Sequence, residues 1–249
     1  MRIMAPAIVV LAGMLSGCGG SDGASGDTAP QSLHFSDCEE QTALLVVPPS
    51  SLPSLPEGFS YGNPLPGVPL AGIHIAGSRC ADLDGQGPTQ DLLAFALIEP
   101  PEAFKSAEVT AYGILLGGYT QHASTAAAFE AWGMQGKVQP GSVDFQLTTT
   151  PLARIGSVSA SGNGSSVTTR INGLGPAYQP GGGLTRAFHF AGGKVVASLD
   201  AFYTPQTAMI GLGSAQQQGD GPLPLGFSLA TGSHAWGYDL ELRNPQRYP

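Results

Sequence analysis

The sequence predicts a mostly β protein, a single antiparallel sheet closed or nearly closed into a barrel and carrying one or two short helices. Charged residues make up only 11% of the chain, while 36 glycines and 21 prolines punctuate it, which suits short strands and many turns better than helices. Apolar, β-branched and aromatic residues gather in runs of strand length. Asn163-Gly164, between Val158 and Val167, and Gly192-Gly193, between Phe190 and Val195, match the two-residue type I′ hairpin turn, whose central positions both need positive φ.

In chain order the strand runs are Thr42–Val47, Leu70–Ala76, Leu92–Ile98, Val109–Leu116, Val143–Thr149 and Arg154–Ala160. They continue with Ser166–Ile171, Leu184–Phe190, Val195–Phe202, Ala208–Gly213, Phe227–Ala230 and Trp236–Leu242. About twelve strands in one domain point to closure of the sheet, which removes its exposed edges. One helix interrupts the pattern. Ser124 or Thr125 serves as its N-cap, Ala126-Ala127-Ala128 favours the helical state, and Gly133 stops it as the C′ residue. Phe129 and Trp132, three apart on one face, are expected to pack on the barrel and close one end. A second helical turn is expected around Ser50–Leu55, stopped by Pro56 and Gly58.

The N-terminus predicts location. Arg2 provides a minimal positive region, and Ile3–Leu15 contains only apolar residues, Gly and Pro, too short to span a bilayer. This reads as a signal peptide over residues 1–17. Its end, Leu15-Ser16-Gly17-Cys18, resembles the lipobox of bacterial lipoproteins, which implies diacylation of Cys18 and cleavage just before it. The expected partner is then the lipid bilayer, through acyl chains that contribute about 0.8 kcal/mol per buried methylene. Residues 18–31, rich in Gly, Ser, Asp and Ala, are expected to form a disordered tether, and 32–249 the folded domain. In a Gram-negative cell, Gly19 in place of an aspartate after the cysteine favours the outer membrane, facing the periplasm.

The formal net charge is −8, and −9 once Arg2 is removed, which argues against nucleic acid as a partner. With Cys18 acylated, Cys38 and Cys80 remain in a compartment that permits disulfides, and they are expected to pair rather than stay as buried thiols. No metal is expected, because the cysteines have no ligand at metal spacing and His34, His74, His122, His189 and His234 are scattered. His74 and His189 alternate with apolar neighbours, which leaves solvent and a barrel lumen equally open to them. Asp82, Asp84 and Asp91 with Gly85 and Gly87 allow a Ca²⁺ loop, but the bidentate Glu of such loops is missing and a surface turn is the stronger reading. No cofactor is expected. Gly181-Gly182-Gly183 is followed by no Lys-Ser or Lys-Thr, and no Gly-x-Ser-x-Gly occurs.

Three stretches resemble the acetoacetate decarboxylase-like superfamily, a cone-shaped β-barrel with an internal cavity. Val47-Pro48-Pro49 through Leu55-Pro56-Glu57-Gly58-Phe59 is similar to that family's opening strand, short helix and "LPxGF" turn. Gly118-Tyr119 through Ala128-Phe129-Glu130-Ala131-Trp132-Gly133-Met134 resembles the strand leading into its "GRExWGxPK" helix end, and Ala153–Val158 the strand that follows. In the decarboxylases a lysine pair after that helix supplies a Schiff-base nucleophile, activated by desolvation and a cationic neighbour. Here the segment reads Gln135-Gly136-Lys137-Val138, with Gly136 at the nucleophile's place and a single lysine, Lys137. Glu130 matches the acid of the motif, the arginine beside it is absent, and no basic residue lies between Leu44 and Pro49. Decarboxylation needs an electron sink and a seat for the substrate carboxylate, and this chain lacks most of both.

Lys137 and Glu130 are therefore the candidate catalytic residues. In an apolar cavity Lys137 would be neutral and nucleophilic; past a helix C-terminus it would instead face solvent and complement the dipole, which is the weightier reading. The function expected from sequence is a membrane-anchored envelope lipoprotein whose β-barrel domain binds a small apolar ligand. The alternatives are a decarboxylase-like Schiff-base enzyme with altered chemistry and a structural or protein-binding lipoprotein.

Overall fold

The computed structural model describes residues 30–64, 67–220 and 227–244. Its strands are β1 (Ser32–Val47), β2 (Ser60–Tyr61), β3 (Ala71–Leu83), β4 (Thr89–Glu99), β5 (Ala111–Thr120), β6 (Val138–Pro140) and β7 (Ser142–Thr150). They continue with β8 (Ala153–Gly162), β9 (Ser165–Leu174), β10 (Gly183–Ala191), β11 (Lys194–Tyr203), β12 (Thr207–Gln218) and β13 (Phe227–Arg243), and the helix α1 spans Ala123–Ala131. Short 3₁₀ turns cover Pro49–Ser51 and Glu102–Phe104.

The expected closure exists, with seven strands making it. Hydrogen-bonded neighbours run β1-β3-β4-β5-β10-β11-β13, and β13 pairs back onto β1. The remaining long strands leave β13 as a second arm, β12-β9-β8-β7. β13 serves both because one edge is shared along its length: Phe227–Trp236 pairs with β12, and Leu240–Arg243 pairs with β11. The change occurs at Gly237, whose φ of +70° costs a glycine little, and which forms a bulge between the Cys38–Tyr238 and Glu39–Trp236 pairs. A second bulge at Asp37, φ +48°, is held by the Asp239 carboxylate accepting the Asp37 N–H at 2.9 Å.

The sheet is not antiparallel throughout, since β5 pairs with β10, and also with β6, in parallel. The chain leaves β5, runs through α1 and the β7–β8–β9 meander, and returns as β10, the long crossover that parallel neighbours require. Both expected tight turns form, with φ of +49° and +79° at Asn163 and Gly164 and +57° and +73° at Gly192 and Gly193.

The helix starts slightly earlier than expected, with His122 at its N-cap, because the Ser124 hydroxyl donates across to the Gln86 side chain at 2.9 Å instead of capping. It ends at Gly133, φ +86°, where the Gly133 N–H donates to the Glu130 carbonyl and the Met134 N–H to that of Phe129. This is a Schellman motif, and Phe129 and Met134 pack in the same core.

Apolar residues form two layers. Leu45, Ile73, Ile75 and Leu92 of the ring wall pack against Val143, Phe145, Val158 and Ile171 of the second arm. Leu33, Phe35, Leu83, Leu115 and Leu242 pack with Phe129, Trp132 and Met134, so the helix plugs one end of the ring. Each such side chain contributes about 1.5–3 kcal/mol when fully buried. Trp132 also donates its indole N–H to the Pro30 carbonyl at 2.7 Å. Cys38 and Cys80 lie opposite each other on β1 and β3 and form a disulfide. Cys18 lies outside the described residues.

Candidate functional site: the ring lumen

Alternation along the ring strands sends one set of side chains toward the second arm and the other set inward. On β1, Gln41, Ala43 and Leu45 are buried toward the arm, while Glu40 and Thr42 face the interior. On β3, Ile73 and Ile75 pack outward and His74 and Ala76 inward. The inward set encloses a cavity of about 130 Å³ lined from β1, β3, β4, β5, β10 and β11. Its walls are mostly apolar, among them Ala76, Phe95, Leu97, Tyr112, Ala187, Leu199 and Ala201.

The polar groups are few. The Thr42 hydroxyl donates to Glu40 Oε1 at 2.5 Å, and the Tyr238 hydroxyl, from β13, donates to Glu40 Oε2 at 3.2 Å. Burial pushes the Glu40 carboxyl above the usual carboxylate range, more than these two hydrogen bonds pull it down. Burial, with the neighbouring Glu40 charge, raises the Tyr203 and Tyr238 phenols. Burial also lowers His74, which favours its neutral form. His74 stands at a different level of the lumen, opposite Leu44 of β1, whereas Glu40 stands opposite Ser78 of β3. Glu39, next in the chain, turns the other way and holds Arg79 at 2.5 Å and Arg154 at 2.7 Å. Burial raises the Glu39 carboxyl, but the hydrogen bonds and charges of Arg154 and Arg79 outweigh it and leave it low. Arg154 stacks over Trp236, 4.0 Å from the ring centroid.

Larger hollows exist on the outside. One of about 390 Å³ is lined by Asp37, Glu39, Arg79, Gln90 and Trp236, and its Glu39 and Arg79 already pair with each other. The lumen is smaller but more enclosed and mostly apolar, and its acid, Glu40, has no cationic partner among the described residues, which makes it the stronger candidate.

The residues expected from sequence lie elsewhere. Lys137, half-buried just before β6, lines an outer groove of about 360 Å³ with Leu116, Tyr119, Gln139 and Asn163. Burial lowers its ammonium, and burial together with the Lys137 charge lowers the neighbouring His189. Glu130 is exposed, and its Oε1 accepts the Gly136 N–H at 2.6 Å, tying the loop to the helix end. Gly136 itself has φ +68°. Asp82 accepts the N–H groups of Gly85 and Gly87 at 2.6 and 2.8 Å and so closes the β3–β4 turn, while Asp91 is buried on β4. Among the described residues no cluster of His, Cys, Asp and Glu has metal-binding geometry. Sequence reasoning missed Glu40, Thr42, Tyr203 and Tyr238; the one available signal was a pair of acids, Glu39-Glu40, within alternating residues that precede an apolar strand.

No protein-family model and no curated protein sequence matches the chain. Solved structures do. An acetoacetate decarboxylase from Legionella pneumophila aligns with a TM-score of 0.53 at 13% identity, covering 90% of both chains. The enduracididine biosynthesis enzyme MppR, with HEPES buffer bound, aligns with a TM-score of 0.54 at 14% identity, again over 90% of both. A further acetoacetate decarboxylase gives 0.50 at 14% identity, over 85% of this chain and 87% of the other. The closed seven-strand ring, its side arm and its plugging helix thus have the acetoacetate decarboxylase-like fold.

Proposed function

We propose that this chain is an envelope lipoprotein, acylated at Cys18, whose decarboxylase-like ring binds a small, largely apolar molecule in its lumen. In a Gram-negative cell it would sit on the outer membrane, facing the periplasm. The observation that carries the binding reading is the cavity, with apolar walls and the Glu40 group at one place. Its size, about 130 Å³, approaches that of an apolar cavity known to take benzene, roughly 150 Å³. None of Lys105, Lys137 and Lys194 lines it, so a Schiff base within the lumen has no amine to start from.

The test is a thermal-shift screen of small ligands on the wild type and on Ala76→Phe, whose ring would occupy the cavity. Ligands that stabilise the wild type and not the variant support the reading, because stabilisation follows occupancy of the native state. Ligands that stabilise both equally refute it. Incorporation of labelled palmitate, lost in Cys18→Ser, tests the anchor. A second reading, a Schiff-base enzyme acting through Lys137, is favoured by the lowered ammonium beside His189. Borohydride trapping with a keto acid decides it: a covalent label on Lys137 supports the enzyme, and an unlabelled Lys137 removes it.

A further inference from the structure

The lumen contains an acid and, among the described residues that line it, no lysine or arginine. Glu40 faces the cavity, receives one hydrogen bond on each oxygen from Thr42 and Tyr238, and pairs with no Lys, Arg or His among the described residues. Its neighbour Glu39 takes both nearby arginines on the opposite face of β1. A carboxylate withdrawn from water without a counter-charge is costly, and a ligand that brings the charge recovers part of that cost. The same cavity is walled by the rings of Phe95, Tyr112 and Tyr203, whose π-faces attract alkylated ammonium groups. An anionic ligand would meet Glu40 with no lysine or arginine in the lining.

We propose that the lumen ligand carries a positively charged nitrogen, a small alkylammonium ion, and that the Glu40 carboxylate is its counterion. This rests on the reading that the lumen binds a ligand at all. The groups facing Glu40 are Thr42 from its own strand, Tyr238 from β13 and Tyr203 from β11, with His74 of β3 in the same cavity. Both phenols are raised and stay neutral, and His74 is driven toward its neutral form, so of the groups facing the cavity Glu40 is the one whose charge changes above the ordinary carboxylate range. Because burial raises the Glu40 carboxyl, a cation must displace its proton at low pH, and affinity rises with pH until the free carboxyl has ionised.

Calorimetric titration of the purified chain with tetramethylammonium, tert-butanol and pivalate tests this with a cation, a neutral molecule and an anion of similar shape. Tetramethylammonium does not titrate, so any pH dependence belongs to the protein. The expected result is at least tenfold tighter binding of tetramethylammonium than of the other two at pH 7, strengthening from pH 4 upward. Glu40→Gln should weaken tetramethylammonium at least tenfold more than it weakens tert-butanol, with its melting transition showing that it folds. Binding of tert-butanol or pivalate as tight as that of tetramethylammonium, or an unselective Glu40→Gln, overturns the charge assignment and leaves the lumen a ligand site. Binding of none of the three overturns both readings.

Discussion

Gly77 marks a close approach of the ring wall and the second arm, and replacing it should be costly in a calculable way. A Cβ built there would lie 2.6, 2.7 and 2.8 Å from Cγ1, Cγ2 and Cβ of Val158, a side chain of β8 with no exposed surface. Carbon atoms in contact prefer about 3.5–4.0 Å, so the shortfall is roughly 1 Å against three atoms. Val158 is β-branched and cannot rotate both methyls away. Gly77→Ala should therefore cost about 1–3 kcal/mol by overpacking. Val158→Ala alone removes two methyls, about 1.6 kcal/mol of transfer energy and about 2–3 kcal/mol once the cavity is counted. In the double variant the new methyl occupies the vacated space and meets only the Cβ at 2.8 Å, so the two costs should fall short of their sum by at least about 1 kcal/mol. Urea denaturation followed by the fluorescence of Trp132 and Trp236 measures all three. Because Ala76, the next residue of β3, lines the lumen, Gly77→Ala should also weaken lumen ligands. Costs that add to within about 0.5 kcal/mol would refute the close approach of the two sheets.

Three further outcomes follow from the same structure. Glu40 has a folded pKa raised above its unfolded value, so its contribution to stability is fully present below the unfolded value and fades as pH rises through the folded one. Glu40→Gln should match the wild type near pH 3 and exceed it at pH 7, by about 1.4 kcal/mol for each tenfold change in the proton affinity of Glu40, as read by melting curves across pH. Glu39→Gln should cost about 2 kcal/mol in denaturant, since Arg154 has a side chain only 8% exposed and would lose its carboxylate; Arg79→Ala, on a side chain 43% exposed, should cost under about 1 kcal/mol. The Cys38–Cys80 disulfide, with Cys38 fully buried, should resist dithiothreitol until the protein unfolds; replacing both cysteines by Ala should cost up to about 4 kcal/mol, the loop-entropy value for a separation of 42 residues.

What was legible in the sequence was local. The central runs of the long strands, the two type I′ turns, the helix end at Gly133 and the burial of Phe129 and Trp132 depend on alternation, on the sign of φ and on spacing within a few residues. The pairing of Cys38 with Cys80 followed from their being the two cysteines left once Cys18 was assigned to acylation. β1 begins at Ser32, ahead of the expected Thr42, because the first half of the strand is polar where Glu39 holds Arg79 and Arg154 and where Glu40 faces the lumen, which masks its strand pattern.

The sequence by itself determined a β-rich chain of about a dozen strands, its tight turns and its one well-formed helix, because each depends on neighbours close in the chain. Tertiary structure alone decided which seven strands close, that β5 and β10 run parallel, and that Glu40 looks into the lumen while Glu39 and Lys137 do not. The physical reason is that period-two alternation separates two faces of a strand without naming what covers each. Here one face of the ring wall is buried against the second arm and the other faces the lumen, so a lumen-facing acid and a buried leucine occupy equivalent sites in the pattern.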